Sequence, residues 1–520
     1  MNVEYLPFEN INAFKNKKIF IEYINRININ SYNHGFSVHE IAKIKNEKEI
    51  SNALAQKLKK YNNNLLPDKS VDENIEKLTE NGTHVVITGQ QPHIYAGPLY
   101  TLYKIITAIK LSKTLTLKTG QNYIPVFWNG SDDHDIDEIN KLEFPDKQYG
   151  LNTFRFDINH TGEPIYNFKT SKEFEKTNIE IFYKLRETDF TAQVKELFTN
   201  HTKNIAENVS YVYKKLFHGQ GLVVLEPKIL REFSKHIYKK IILNDIEINN
   251  TINETGKSGI GLIQKDNISN LFAHINGKRE KIMINNKGFR CGDKTFLKND
   301  FADYVYENAV EFSPGVGVRP VVQDYLFPTC AYVAGPGEVS YFSQLKNVYS
   351  MLETNMPAIF PRVSATVITG REKRVIDKYG FAAHDIINGN IEISDDSRTE
   401  QEKIKINEFT KQIWKQVDNL TEYVKDKGNE PLQSINSSLR KIEYELNKVE
   451  EKYIKAYERL QGVERGQIEK LKSSLTPNNA LQERIFSPLY YINLFGQNFI
   501  NNLIKSFNID EFKHHVITLD

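Results

Sequence analysis

The spacing of apolar residues changes character twice along this 520-residue chain. Through residues 1–80 it runs at three and four, as in "SVHEIAKIKNEKEISNALAQKLKKYNNNLLP". That periodicity predicts a largely helical start, closed by an Asn-rich, Pro-marked turn. From residue 84 the pattern becomes compact apolar runs bounded by turn residues: "HVVITG" (84–89), "IPVFWNG" (124–130) and "GLVVLEP" (221–227). Such runs predict strands buried on both faces. Helices are expected between them, over 99–111 and through 188–217. The alternation predicts α/β layers around a mostly parallel sheet, with an antiparallel α+β arrangement as the competing topology. Further strands are expected between 228 and 360, in "KGFRCG" and "RPVVQDYLF".

The last change of pattern is to heptads. Ile435, Leu439, Ile442, Leu446, Val449, Tyr453, Ala456, Leu460 and Val463 alternate spacings of four and three, with polar residues filling the gaps. Ile406, Phe409, Ile413, Val417, Leu420 and Val424 form a similar stripe, which ends near "KDKGNEP". Two long helices folded back as an antiparallel coiled coil fit both stripes. The seam can be satisfied within the chain or shared with a second subunit. The segment "LQERIFSPLYYINLFGQNFINNLI" (481–504) is apolar enough to dock back on the main body, and too short and broken to span a bilayer.

Composition narrows the class. Apolar residues make up 40% and charged residues 26%, as in a folded globular chain. Lys plus Arg exceeds Asp plus Glu by 68 − 66 = 2, so no global charge argues for nucleic acid or a membrane as partner. Cys291 and Cys330 make neither a disulfide framework nor a metal-ligand pair, and the start lacks the apolar core of a signal peptide. A cytoplasmic protein is expected.

Three stretches carry candidate chemistry. In "VITGQQPHIYAGPLY", Gly89 and Gly97 permit close approach, Gln90 and Gln91 bring amides, and a helix opening at Pro98 or Leu99 would aim free N–H groups at an anion. The alternative is a tight turn whose glycines serve packing, with His93 either a donor to the anion or an unpaired surface residue. In "FWNGSDDHDIDEIN", Asp132, Asp133 and His134 suit Mg²⁺, an ammonium or ribose group, or a proton transfer. Asp135, Asp137 and Glu138 are read as capping and charging the first turn of a following helix. In "AGPGEVSYFSQL", Gly335, Gly337 and Glu338 open a helix on which Tyr341 and Gln344 share a face. Arg319 and Arg362 are fork-shaped anion donors, Arg362 more in keeping with a surface salt bridge. The "GKS" in "ETGKSGIG" (254–261) lacks the glycine spacing of a phosphate-binding loop.

Taken in order, "VITGQQPHIYAGPLYTLYK", "PVFWNGSDDHDIDEIN", "RPVVQDYLFPTCAYVAGPGEVSYFSQL", "PRVSAT" and "LQERIFSPLYYINLFG" resemble the bacillithiol biosynthesis cysteine-adding enzymes, a family of cysteine ligases. The resemblance implies a Rossmann-like core, similar to class I aminoacyl-tRNA synthetases and nucleotidyltransferases, with inserted connective subdomains and a C-terminal antiparallel coiled coil. On that basis 1–380 is expected as the catalytic core with insertions near 145–220 and 228–310, 381–475 as the arm, and 476–520 as a segment docking back. The implied reaction is the last step of bacillithiol biosynthesis: L-cysteine joins the amino group of glucosaminyl-malate through an activated cysteine carboxylate. ATP is the implied cosubstrate, with Mg²⁺ accompanying it, and the protein is expected as a homodimer. The synthetase HIGH signature is absent, "YAGPLY" standing at its place, and no KMSKS loop is recognisable.

For that reaction Asp132, Asp133 and Glu338 are expected to hold the cysteine ammonium, and His134 to act as base. Substrate or nucleotide is expected at Gly89, Gln90, Gln91, His93, Gly97, Pro98, Tyr100, Arg319, Gly335, Gly337, Glu338, Tyr341 and Gln344. No protein-held metal, nucleic acid or membrane is expected. The rival readings are a nucleotidyltransferase-like enzyme acting on another amine, and a non-catalytic coiled-coil scaffold.

Overall fold

Five parallel strands lie at the centre, and their order decides where a ligand can sit. The computed structural model describes residues 2–146, 150–158, 160–199, 202, 204–256, 262–391 and 397–519. The central strands run side by side as Ala358–Pro361, Thr329–Ala334, His84–Gln90, Tyr123–Asn129 and Val223–Leu225, with every neighbouring pair parallel. Nearly every residue in them is buried, as their uninterrupted apolar runs require. The chain winds outward from His84–Gln90 to Val223–Leu225 and then crosses to the opposite side. The winding therefore reverses between His84–Gln90 and Thr329–Ala334, and a crevice opens beyond the carboxyl ends of those two strands. Helix Leu99–Thr119 is apolar on all sides because strands of the central sheet and the C-terminal helices both cover it.

A second sheet, antiparallel throughout, has the order Lys294–Phe296, Gly288–Cys291, Lys278–Asn285, Ile268–Ile275, Phe312–Pro314. A third joins the two ends of the chain: Asn2–Leu6 lies antiparallel to His514–Leu519, which pairs parallel with Ser364–Thr369. Residues 1–370 and 477–520 form one compact unit, and residues 371–476 another.

Several local expectations are corrected. The first residues form a strand, because their partner lies at the far end of the chain, where no local pattern records it. The expected long early helix is two, Val38–Ile41 and Asn52–Leu65, since Ser37 and Ser51 each cap a separate start. "RPVVQDYLF" is a helix, Arg319–Leu326, with Pro320 in its first turn and Val318, Val321, Val322 and Leu326 buried at helical spacing. No helix follows "SDDHD": one turn is closed by bonds from Ile139 and Asn140 to the Ile136 carbonyl before strand Lys141–Pro145 begins. Residues 257–261 of "ETGKSGIG" lie outside the described residues.

In the second unit, helices Ser397–Lys425 and Asn429–Leu475 run antiparallel, as the heptads predict. Tyr453 bonds Glu402, Lys403 pairs with Glu458, and Asn407 bonds Glu450. The hairpin does not cover the whole stripe, however. Val449, Leu460 and Val463 remain 55%, 63% and 52% exposed, as do Phe409, Ile413 and Leu420 on the other helix at 45–62%. Among the described residues no helix is long and apolar enough to cross a membrane.

Candidate functional site

The crevice at the winding reversal is a cavity of about 620 Å³, and three turns meet in it. The first ends strand His84–Gln90. Gly89 is required there by close approach, since a Cβ would stand 3.1 Å from the Trp128 carbonyl oxygen and 3.2 Å from its Cβ. The chain then passes through Tyr95 and Ala96, both left-handed at φ 57° and 52°, a costly conformation for residues with a side chain. Three donors hold it: Ser487 Oγ on the Tyr95 carbonyl (2.9 Å), Tyr213 on the Ala96 carbonyl (3.0 Å), and the Tyr95 hydroxyl on Asn178 (2.6 Å). The second turn, residues 130–134, follows strand Tyr123–Asn129, and the third, residues 335–338, follows Thr329–Ala334. Gly89, Gln90, Gln91, Tyr100, Asp132, Asp133, His134, Arg319, Gly335, Gly337, Glu338 and Tyr341 all line the cavity.

Four expected residues do not. His93 is buried, its Nε2 without a partner among the described residues, and burial with the nearby Lys104 charge lowers its pKa to about 4. It is neither an anion donor nor a surface residue. Gly97 packs on Ser487, where an added Cβ would meet the Ser487 Cβ at 3.3 Å. Pro98 precedes a helix whose first N–H is already taken by the Phe486 carbonyl (2.8 Å), so the C-terminal segment occupies the place expected for an anion. Gln344 ties the backbone of Leu262 and Ile252.

Most charges around the cavity are paired. Lys104, on the buried helix one turn beyond Tyr100, donates to the Gly89 carbonyl (2.9 Å), Gln90 Oε1 (3.1 Å) and Glu338 (2.5 Å). Three acceptors call for three protons, so the group is an ammonium. Burial pushes the Glu338 carboxyl up, yet Lys104, the Gly335 N–H (2.7 Å) and Tyr332 (2.8 Å) bring it below its usual range. Glu338 thus has donors on both oxygens. Asp133 is engaged as well. It accepts Gln91 (2.7 Å) and the His134 N–H (2.8 Å) and faces Arg279 at 3.5 Å; these outweigh burial and lower its pKa. Asp132 bonds Arg231 through Oδ1, while its Oδ2 is buried with no hydrogen-bond partner among the described residues.

Arg279 also points Nη1 at His134 Nδ1 (3.2 Å). A guanidinium only donates, so Nδ1 must accept and the proton of the neutral ring sits on Nε2. Burial and Arg279 both lower the His134 pKa, which keeps it neutral. In this arrangement its other nitrogen is an N–H donor. Arg362 is not a surface residue either: it is 5% exposed and makes two bonds to Glu483, 2.6 and 3.0 Å, with Nε unpartnered among the described residues. Arg319, by contrast, meets the Tyr341 hydroxyl at 3.3 Å, and Arg484 lies 5.7 Å over the Tyr100 ring. Neither has a carboxylate partner among the described residues. The cavity therefore offers the Glu138 carboxylate, a buried and unpartnered oxygen of Asp132, one neutral imidazole donor, the guanidinium groups of Arg319 and Arg484 and the ammonium groups of Lys265 and Lys281.

Sequence reading missed Lys104, Arg231, Arg279 and Arg484. Lys104 had a signal, as the one charge in the apolar run "LYTLYKIITAI". Arg231 and Arg279 had none, since they come from segments that read as ordinary polar surface. Among the described residues, no group of three or more His, Cys, Asp or Glu is placed to hold a metal ion.

A parallel sheet with a reversal-point cavity, accompanied by a helical hairpin, defines a Rossmann-like α/β protein with a coiled-coil arm. The N-terminal Rossmann-like domain of bacillithiol biosynthesis BshC matches residues 1–363, and the C-terminal coiled-coil domain of BshC matches residues 365–519. The chain belongs to the bacillithiol biosynthesis BshC family. Among its relatives, proteins named "Putative cysteine ligase BshC" are 29% identical in Staphylococcus haemolyticus (85% of this chain, 86% of that one) and 28% in Bacillus cytotoxicus (92% of each). One in Natranaerobius thermophilus is 32% identical over 66% of this chain and 65% of its own.

Proposed function

We propose that this protein is a cytoplasmic ligase that joins L-cysteine to the amino group of glucosaminyl-malate, the last step of bacillithiol biosynthesis. The observation that carries the reading is the division of charge around one cavity, with acidic groups at Asp132, whose Oδ2 is buried and unpartnered among the described residues, and Glu138, against Arg319 and Arg484. An α-ammonium belongs at the first, and phosphate or carboxylate groups at the others. The meeting of three turns in one cavity favours this over a non-catalytic scaffold.

Amide formation needs an activated cysteine carboxylate, and ATP is the cosubstrate we propose, with Mg²⁺ arriving on its phosphates. ATP would supply the activation; the open guanidinium groups suit its polyanion. Asp132 would orient cysteine through its ammonium, and the three turns would hold the acyl carbon and the acceptor amine in line. The His134 Nε2–H would donate to the oxyanion that develops as the amine adds. Purified protein given ATP, cysteine and glucosaminyl-malate is expected to yield a product one cysteinyl residue heavier than the glycoside by mass spectrometry. Absence of that mass with all three present, or its appearance on a different amine in preference, sinks the assignment.

The uncovered stripes of the hairpin support a homodimer, since two such faces can bury one another. Val449→Glu with Leu460→Glu is expected to turn a dimer into a monomer in analytical ultracentrifugation. A wild-type monomer at micromolar concentration would argue against it.

A further inference from the structure

The two arginines that clamp the Asp132–His134 segment are joined to one another behind the cavity. Arg231, bonded to Asp132, also donates to the Tyr166 hydroxyl at 3.3 Å. That hydroxyl lies 3.1 Å from His274 Nδ1, and His274 Nε2 lies 2.9 Å from Ser313 Oγ. Ser313 Oγ accepts Arg279 Nε at 3.2 Å, and Arg279 returns to Asp133 and His134. The path starts and ends on adjacent residues of one turn and runs through three strands of the antiparallel sheet. Its middle members, Tyr166, His274 and Ser313, are not among the cavity-lining residues.

Charge and proton counting together fix the state of the middle. Each hydroxyl already accepts one guanidinium N–H. A neutral imidazole donates to one hydroxyl and accepts from the other, whichever tautomer it takes. An imidazolium would need both hydroxyls as acceptors and would set a third cation between two arginines. Burial first, then Arg231 and Arg279, accordingly drive the His274 pKa down, to about 2. A neutral ring with both nitrogens engaged is a strut of fixed length.

We propose that His274 is a positioning residue: bonded to Tyr166 on one side and Ser313 on the other, it fixes the spacing of Arg231 and Arg279. It thereby decides which oxygen of Asp132 Arg231 holds and which nitrogen of His134 accepts from Arg279. The kinetic part of the test rests on the cysteine-ligase reading; the spectroscopic part does not.

The test uses the full-length protein with His274→Phe, His274→Gln and Ser313→Ala, and follows His134 by ¹⁵N NMR across pH, its signals assigned with His134→Gln. The groups facing His134 are Asp133, Asp135, Arg279, Lys281 and the Phe272 ring. In the wild type His134 is expected as the Nε2–H tautomer titrating below 6.5. With Phe at 274, or Ala at 313, Arg279 loosens, the tautomers mix and the pKa rises by about half a unit or more. Gln at 274 can still donate to one hydroxyl and accept from the other, and is expected to keep the wild-type titration. In the ligase assay the Phe and Ala variants should lose kcat by on the order of 10–100-fold, with a smaller change in KM for cysteine. An unchanged His134 tautomer and pKa in both overturns the proposal. Should the Phe variant not fold, Ser313→Ala, which removes a single oxygen, decides alone. If even the wild type makes no product, the ligase reading fails while the NMR result still stands.

Discussion

Glu483→Ala is expected to lower the unfolding free energy by about 3–5 kcal/mol, a loss set by the buried charge it leaves unpaired. Glu483 is 1% exposed, and its carboxylate receives Arg362 twice, the Ala365 N–H at 3.0 Å and Ser364 Oγ at 3.0 Å. Removing it strands a buried guanidinium and takes away the bonds by which Glu483 holds Ser364 and Ala365. Changing both partners, Arg362→Met with Glu483→Leu, should cost far less, because no unpaired charge remains. Urea unfolding checks both, and a loss below about 1 kcal/mol for the single substitution would show that water reaches the site.

The pH dependence has a definite sign. Burial raises the Glu483 pKa, but Arg362 and the hydrogen bonds carry it below its usual value. A carboxylate whose folded pKa is depressed stabilises fully above its unfolded pKa, about 4.3, and loses that contribution as pH falls through the folded value. The difference between wild type and Glu483→Ala should be flat from about pH 6 to 8 and shrink below about pH 4. His514, held neutral by burial with its pKa down at about 4, adds a second acid-side loss between 6.5 and 4. Its neutral ring bonds Ser364 and Thr366, so His514→Gln should flatten that part of the profile.

Arg319→Met is expected to reduce kcat/KM by on the order of 10²–10³, the largest functional loss, without lowering the melting temperature. Its guanidinium has the Tyr341 hydroxyl as a partner and faces the cavity, so its charge is available to an anion. Lysine should recover little, since a point charge on a flexible stem does not reproduce a fixed fork. Activity within threefold of wild type, in steady-state assays with each substrate varied in turn, would remove Arg319 from anion recognition.

Arg319 and Arg362 show how far local pattern reaches. Both stood out in the sequence as fork-shaped donors, yet nothing in "RPVVQ" or "FPRVSAT" distinguishes the open group from the paired one. Arg362 finds Glu483 more than a hundred residues away. The same limit applies to "SDDHD". Its position at a strand end was legible, but the engagement of Asp133 and the unpartnered oxygen of Asp132 depend on Arg279 and Arg231, which come from separate segments. At Pro98 the expected anion place is filled by the carbonyl of Phe486, a contact between distant parts of the chain.

By itself the sequence determined the elements whose physics is local or periodic. Apolar runs had to be buried strands, the glycine turns had to follow them, and the heptads had to make a helical hairpin, because burial and backbone geometry are written residue by residue. Tertiary structure alone decided which charges are spent on one another and which remain for a ligand. It likewise decided how much of the heptad stripe the hairpin covers, and that the first strand pairs with the last. Pairing depends on distance through space, and the partners lie hundreds of residues apart along the chain.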